Sequence, residues 1–240
     1  MSRVATCAEI KANLCRACRK LCRNRAFIIL DTIILERCDL TQDVHLSLAL
    51  KKLQSLKYLA IKEYIGVVER TLETIGEQCK NLRVLRGAPW GPAFHANVRY
   101  VYLTHLVGLQ ILKITHNHKM SDEFLVSVVQ RCQQLVCIDI TGCCNVTDDG
   151  LTTVATLAKL ERLTIGYLDR ITDSGLQDIF HVDKDACNSR SNNVMLKLII
   201  GSTSIISKHE SDDKLSPLLQ IVNVDLSDRR MCVHCHVSGR

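Results

Sequence analysis

The sequence predicts an α/β fold in which short parallel strands alternate with helices in repeated units. Three observations support this prediction. An apolar frame of the form L-x-x-L-x-L recurs along the chain at intervals of roughly 26 residues. Within each occurrence, apolar residues alternate with other residues at a period of two, which is typical of a strand with one buried face. Helix-start signals follow three of the strands about twelve residues later.

Eight strands are predicted from this frame. The residues that open the eight frames are Leu30, Leu56, Leu82, Leu109, Leu135, Leu160, Met195 and Leu219. The segments "LQILKITHN" and "LVCIDITGC" show the alternation clearly. Because successive strand residues point to opposite faces, the fourth and sixth residues of each frame are predicted to lie in the core.

Helices are predicted between the strands. Three residue pairs offer a hydroxyl group for the N-cap and a carboxylate for the positive end of the helix dipole. These pairs are Ser121-Asp122, Thr147-Asp148 and Thr172-Asp173. Apolar residues at helical spacing follow the first pair and predict one buried helix face; they are Leu125, Val128, Val129 and Cys132.

Two segments depart from the regular unit. In the third repeat, Gly87 stands where a buried aliphatic residue belongs, and two of the three prolines follow it, so a regular helix is not expected there. Residues 181–194 lengthen a later repeat by a polar loop, which offers an alternative place for a partner to bind.

The segment "CQQLVCIDITGCCNVTDDGLTTVA", residues 132–155, resembles the cysteine-containing subtype of leucine-rich repeats. This resemblance implies a solenoid of about eight repeats over residues 30–240, with a curved parallel sheet and with helices on the convex side. Such arrays are similar to those of F-box proteins in cullin-type ubiquitin ligases and of the antagonist of mitotic exit network family. The chain departs from the F-box proteins because the 29 residues before the first repeat show no leucine-proline F-box entry.

The chain has 13 cysteines, an odd number without a clustered disulfide framework. Cys38 and Cys143 occupy the position eight residues after a frame-opening leucine, where a side chain turns inward. Cys79 and Cys132 lie three residues before such a leucine, and other repeats have leucine there. These thiols are therefore predicted to be core residues in a reducing compartment, the cytoplasm or the nucleus.

Residues 1–29 are predicted to form a basic N-terminal helical cap. Residues 1–25 carry seven basic side chains against Glu9 alone, and the remainder of the chain is neutral. Cys15, Cys18 and Cys22 share one face of this helix with leucines and are predicted to pack rather than to bind metal. The basic segment leaves two alternative functions open: an organelle-imported assembly factor, or an RNA-binding protein, although only 4% of the residues are aromatic.

Near the end of the sequence, Cys232, Cys235 and His236 match the C-x-x-C-H signature of haem attachment. A repeat array in a reducing compartment does not favour that reading, and a single C-x-x-C is a weak zinc signal. The predicted role of this segment is a closing turn. No metal and no cofactor are predicted.

No catalytic motif for nucleotide binding, hydrolysis or metalloproteolysis occurs in the sequence, and no apolar run approaches the roughly 20 residues of a membrane helix. We therefore expect a protein-interaction module that is not an enzyme and has no membrane partner, and the low aromatic content does not favour a nucleic-acid partner. The family resemblance implies a substrate receptor or regulator that meets ubiquitin ligase components.

The partner is predicted to bind the concave face, which is formed by the third and fifth residues of each frame. Among the residues there, tyrosine and arginine are types enriched at binding hot spots. The predicted site consists of Tyr58, Arg86, Lys113, Asp139 and Arg162 on the strands, with His116 and Tyr167 at the strand exits. An acidic and apolar protein segment is the expected ligand.

Overall fold

A computed structural model describes residues 4–5, 31–36, 44–64, 69–90, 100–117, 120–179, 196–201 and 219–223. The chain divides into two compact units, Met1–Leu112 and Lys113–Arg240. Four features predicted from the sequence lie outside the described residues: the helical cap except for Val4–Ala5, Cys38, the 181–194 loop and the Cys232/Cys235 pair. No helix in the described part of the chain is long and apolar enough to cross a membrane.

The first unit contains parallel strands separated by helices. Its strands are β1 (Val4–Ala5), β2 (Thr32–Glu36), β3 (Tyr58–Tyr64) and β4 (Val84–Trp90). Its helices are α1 (Val44–Leu50), α2 (Glu69–Gln78) and a 3-10 helix (Tyr100–His105). Thr32 pairs with Tyr58, and Tyr58 pairs with Val84, which are the partners that the frame predicts.

The second unit repeats this order. The strand β5 (Ile111–Ile114) contains the division between the units. After it come α3 (Asp122–Arg131), β6 (Cys137–Asp139), α4 (Asp148–Ala155), β7 (Arg162–Gly166), α5 (173–179), β8 (Leu196–Gly201) and β9 (Leu219–Asn223). The strands β6 to β9 pair in parallel, each with the next. The α/β class and the parallel strands are therefore as predicted.

A shared backbone pattern starts the strands. The carbonyl of Asp31 accepts hydrogen bonds from the N–H groups of Lys57 and Tyr58, and the carbonyl of Lys57 accepts the equivalent pair from Arg83 and Val84. In the second unit, the carbonyl of Val136 accepts from Glu161 and Arg162 in the same way. The repeats are thus equivalent in hydrogen bonding as well as in sequence.

The core lies where the period-two pattern predicts it. The fourth and sixth residues of the first seven frames are buried, among them Leu59, Ile61, Ile138, Ile140, Leu163 and Ile165. The apolar face of α3 is also buried, and so are Cys79, Cys132 and Cys143. Burial of such side chains is the main stabilising term, because each leucine contributes about 1.5–3 kcal/mol when it leaves water.

The described part of the third repeat between its strand and the next has a 3-10 helix, in line with the doubt about a regular helix that Gly87 and the prolines raised. This segment approaches α2 closely at Gly76. A Cβ atom built on Gly76 would lie 2.0 Å from the carbonyl oxygen of Tyr102. A residue with a side chain would therefore push these two elements apart, so glycine is required for their contact.

Carboxylates bridge neighbouring repeats in the second unit. Ser121 and Thr147 are N-caps as predicted, but neither side chain caps its own helix. Instead, the N–H and hydroxyl groups of Thr147 donate to the carboxylate of Asp122, at 2.9 and 2.7 Å. Thr172 donates to Asp148 in the same way, at 2.9 and 2.6 Å. The carboxylates assigned to the helix dipole thus also join one repeat to the next.

Two backbone details differ from the sequence-based prediction. Residues Val4–Ala5, in the segment predicted to be a helical cap, form a strand that pairs in parallel with β2. In the last repeat, Lys197 pairs with Gln220 and Leu198 with Ile221, whereas the frame opened at Leu219 equates Lys197 with Ile221. That register is wrong by one residue. Adjacent leucines, Leu218 and Leu219, offer two starting points, and a shift of one residue exchanges the faces of a strand.

Candidate functional site

The strand residues predicted to face a partner are less exposed than expected. Ala60, Cys137, Asp139 and Thr164 are buried, with exposed fractions of 0%, 5%, 5% and 7%. Adjacent strands lie about 4.8 Å apart, so a short side chain is shielded by longer ones on both sides. Ala60, for example, lies between Ile34 and Arg86. The surface available to a partner is therefore formed by the long side chains.

Arg86 and Tyr58 form one such surface in the first unit. Both side chains are half-buried, and the guanidinium carbon of Arg86 lies 5.7 Å from the centre of the Tyr58 ring. This distance permits a cation–π interaction, which holds the planar guanidinium group against the ring. The Nε atom of Arg86 is buried and has no hydrogen-bond partner among the described residues. The aromatic ring thus positions the arginine, and its Nε atom has no acceptor among the described residues.

Lys113 and Asp139 form an ion pair in the second unit. The Nζ atom of Lys113 lies 3.6 Å from Oδ2 of Asp139, and the side chains are 27% and 7% exposed. The other carboxylate oxygen of Asp139 accepts hydrogen bonds from the N–H and hydroxyl groups of Thr141, at 3.3 and 2.8 Å. Asp139 is therefore engaged within the chain, where its charge holds Lys113.

Arg162 differs from these residues because it is exposed. It lies at the start of β7, between Cys137 of β6 and Lys197 of β8. Lys197 is half-buried, and the described part of the chain shows no carboxylate in an ion pair with either side chain. This part of the strand surface is basic.

His116 and Tyr167 lie at strand exits, as predicted, and both have left-handed backbone conformations, with φ of 54° and 52°. Gly142 holds the equivalent position in the repeat between them, with φ of 72°. A Cβ atom on Gly142 would lie 2.4 Å from Nδ1 of His116. The centres of the His116 and Tyr167 rings are 6.4 Å apart. Glycine therefore leaves the space that the histidine ring occupies.

The left-handed conformation is costly for residues with a side chain, by about 1–2 kcal/mol, and a bulky residue such as tyrosine rarely adopts it. Backbone hydrogen bonds along this edge help to maintain it. The N–H of His116 donates to the carbonyl of Thr141, and the N–H of Gly142 donates to the carbonyl of Gly166, both at 2.7 Å. The histidine and the tyrosine are thus presented at a fixed edge of the strands.

Sequence reasoning missed two contributors to this arrangement. Thr141 is buried and holds Asp139, and Gly142 makes room for His116. The signal was present in the dipeptide Thr141-Gly142, since glycine after a strand often marks a backbone with positive φ. Thr141 directly follows the last buried residue of its frame, and a polar residue at that place indicated a buried hydrogen bond.

The buried thiols are structural groups. Burial raises the pKa of Cys79 to about 12 and that of Cys132 to about 11, against the smaller opposing effects of Lys80 and Arg131. The thiol of Cys143 donates to the carbonyl of Ile114, at 3.2 Å, and so supports the end of β5. Within the described residues, no group of three or more histidine, cysteine or acidic side chains could hold a metal ion.

Comparisons with known proteins place these features beside two relatives. No family model matches the chain. The F-box protein MAX2 of Arabidopsis thaliana is 38% identical over 88 residues, which cover 36% of this chain and 13% of the plant protein. The structure of the Rad7 and Elc1 complex in yeast contains a chain that superposes with a TM-score of 0.61 and 14% identity, over 82% of this chain and 56% of that one.

Each relative supports a different conclusion. At 14% sequence identity, the match to the yeast structure shows the fold alone. The alternating strands and helices of this chain are consistent with that fold. The match to the plant protein is a local sequence similarity to an F-box protein. The chain spans about half of the yeast chain, and the matched segment is a small part of the plant protein. The chain therefore has the fold seen in the yeast complex and a segment similar to an F-box protein.

Proposed function

We propose that the chain is a protein-interaction module that acts as a substrate receptor or regulator in a cullin-type ubiquitin ligase pathway. In this proposal it is a leucine-rich repeat solenoid of about eight units, works without a cofactor and catalyses no reaction. Its compartment is the cytoplasm or the nucleus. The observation that carries the pathway is the 38% identity to an F-box protein.

The interaction role rests on the strand surface. Parallel strands present a row of side chains at a spacing that an extended polypeptide can follow. The proposed partner-binding residues are Tyr58, Arg86, Lys113, His116, Asp139, Arg162 and Tyr167. Arginine and tyrosine contribute strongly where a partner excludes water, and Tyr58 and Arg86 are already half-buried before any partner binds. Within this set, Asp139 also holds Lys113 in place through their ion pair.

The yeast structure supports a protein partner, because it is a complex of Rad7 with Elc1. A chain of the same fold is thus found in a complex with another protein. The basic side chains of the strand surface favour an acidic partner, since complementary charge increases both the association rate and the specificity.

The test is quantitative co-purification from cells that express the tagged chain, with cullin and its adaptor proteins measured by mass spectrometry. A variant that removes the basic surface is compared with the unmodified chain, and its substitutions are Arg86→Glu, Lys113→Gln and Arg162→Glu. Glutamine is chosen at Lys113 because glutamate there would face the carboxylate of Asp139.

The matched control makes the same change in net charge at exposed residues outside the strands. Its substitutions are Lys51→Gln, Arg70→Glu and Arg131→Glu. We expect cullin to be recovered with the unmodified chain, and one or more acidic proteins to be lost in the strand variant but retained in the control. Recovery of organelle import receptors or of RNA, without any cullin, would contradict the proposal.

A further inference from the structure

We propose that Arg86, stacked on Tyr58, is the anchor for a carboxylate of an extended acidic protein segment. This inference rests on the proposed function as an interaction module, and it names the chemistry of the partner and the residue that reads it. Four observations carry it: the cation–π stack, the buried Nε atom, the apolar surroundings and the contrast with Lys113.

The cation–π stack limits the freedom of the guanidinium group before any ligand arrives. The guanidinium carbon lies over the Tyr58 ring, 5.7 Å from its centre, so the ring contacts one face of the group. Arginine is planar and can bind a carboxylate through two parallel hydrogen bonds, and a guanidinium that is already positioned loses less entropy when it does so. A fixed arginine is thus better suited to an anchor than a mobile one.

The buried Nε atom leaves hydrogen-bonding capacity unused. A buried donor without a partner is unfavourable because it has lost its hydrogen bond to water and gained none in return. The described residues offer Nε no acceptor. A carboxylate that meets the edge of the guanidinium group formed by Nε and one Nη atom would supply that acceptor after a small outward movement of the side chain. Binding therefore corrects an unfavourable feature of the free protein.

The frame positions around Arg86 are mostly apolar. At the third and fifth frame positions of β2, β3 and β4, Arg86 is the one charged residue, and its neighbours are Thr32, Ile34, Tyr58, Ala60 and Val84. Tyr58 pairs with Val84, and Ala60 pairs with Arg86. A charged hydrogen bond is stronger in such a weakly polar setting. The complementary ligand is an acidic side chain with apolar residues beside it.

Lys113 lacks this capacity because the carboxylate of Asp139 lies 3.6 Å from its ammonium group. The two cations, at equivalent frame positions of successive repeats, are therefore not equivalent in function. The number of basic side chains at the site indicates which anion it binds. Phosphate recognition generally uses several basic side chains, whereas a single planar guanidinium matches a carboxylate.

The test uses the full chain and blocked heptapeptides whose central residue is glutamate, glutamine or phosphoserine, flanked by valine and leucine. Binding is followed by the NMR resonance of the Arg86 Nε–H group, which is assigned by its absence in Arg86→Lys. We expect the glutamate peptide to shift this resonance and to bind about tenfold more tightly than the glutamine peptide.

Substitutions separate the guanidinium group from the ring. Arg86→Lys should weaken the glutamate peptide about tenfold, and Tyr58→Leu about fivefold, whereas Tyr58→Phe retains the ring and should change binding less than about twofold. Arg70→Lys, at an exposed position of α2, is the matched control and should have no effect. Circular dichroism verifies that each variant is folded.

Equal affinity for the glutamate and glutamine peptides would overturn the inference, and so would unchanged binding by Arg86→Lys. Tighter binding of the phosphoserine peptide would assign the site to phosphate instead. Because no ubiquitin ligase component takes part in this experiment, its failure leaves the pathway proposal standing. Conversely, a positive peptide result without cullin recovery would retain the anchor and reject the pathway.

Discussion

Asp122 provides a direct test of how one repeat is attached to the next. Its carboxylate accepts two hydrogen bonds from Thr147, at 2.9 and 2.7 Å, across 25 residues of sequence. A hydrogen bond to a charged group contributes about 1.5–3 kcal/mol, and partial exposure reduces this value. The carboxylate also lies in the first turn of α3, which adds about 0.3–1 kcal/mol. Asp122→Ala should therefore lower the free energy of unfolding by about 2–4 kcal/mol.

The assay is urea denaturation followed by circular dichroism, in which such a loss moves the midpoint by roughly 1 M. Asp148→Ala is the internal comparison. It removes the same two bonds to Thr172, but at an exposed site, so the expected loss is about half as large. Asp122→Asn retains one acceptor oxygen and should lie between the wild type and the alanine variant.

A double-mutant cycle isolates the side-chain bond. Thr147→Val removes the hydroxyl group but keeps the backbone N–H, and combined with Asp122→Ala it should give a coupling energy of about 1 kcal/mol. A coupling energy of zero, together with a loss below about 0.5 kcal/mol in Asp122→Ala, would refute the reasoning. The hydrogen bonds between Asp122 and Thr147 would then contribute nothing measurable to the free energy of unfolding.

Three further predictions follow from the packing. Gly150→Ala normally gains about 1 kcal/mol in a helix, but its Cβ would lie 2.2 Å from Oδ1 of Asp122, so we expect a net loss of about 1–3 kcal/mol in the same urea assay; a gain would show that the carboxylate moves freely. Leu163→Asp places a carboxylate at a fully buried position and should abolish soluble folding, whereas a soluble and cooperatively folded variant would contradict the strand register. Cys79 and Cys132 should resist alkylation in the native state at pH 8. Because their folded pKa values, about 12 and about 11, exceed those of exposed thiols, their contribution to stability is complete below about pH 9 and falls as the pH rises toward those values; rapid labelling of the folded chain would contradict this burial.

The sequence alone determined the strands β2 to β8, their buried rows and the starts of three helices. Each of these features depends on residues within one repeat. The alternation in "LVCIDITGC" identifies Ile138 and Ile140 as core residues because a strand has a period of two. Likewise, Gly87 and the prolines were sufficient to make a regular helix doubtful in the third repeat, since their effects on the backbone are local.

The predicted site was only partly accessible to the same reasoning. Sequence pattern assigned Arg86 and Tyr58 to one face and placed His116 and Tyr167 at strand exits, since face and edge follow from register. It also assigned Asp139 to the open surface, where the structure shows a buried carboxylate held by Thr141. Exposure depends on the length of neighbouring side chains from other repeats, which alternation does not report.

The tertiary structure decided the contacts between repeats. The sequence does not show that Asp122 reaches Thr147, because the two residues are 25 positions apart and meet only when the repeats are stacked. The choice between Leu218 and Leu219 as the start of the last frame is of the same kind, since both fit the local pattern and only pairing with β8 distinguishes them. Local periodicity sets which face a residue occupies, whereas its partners, its exposure and its charge balance depend on atoms that the fold brings from another repeat.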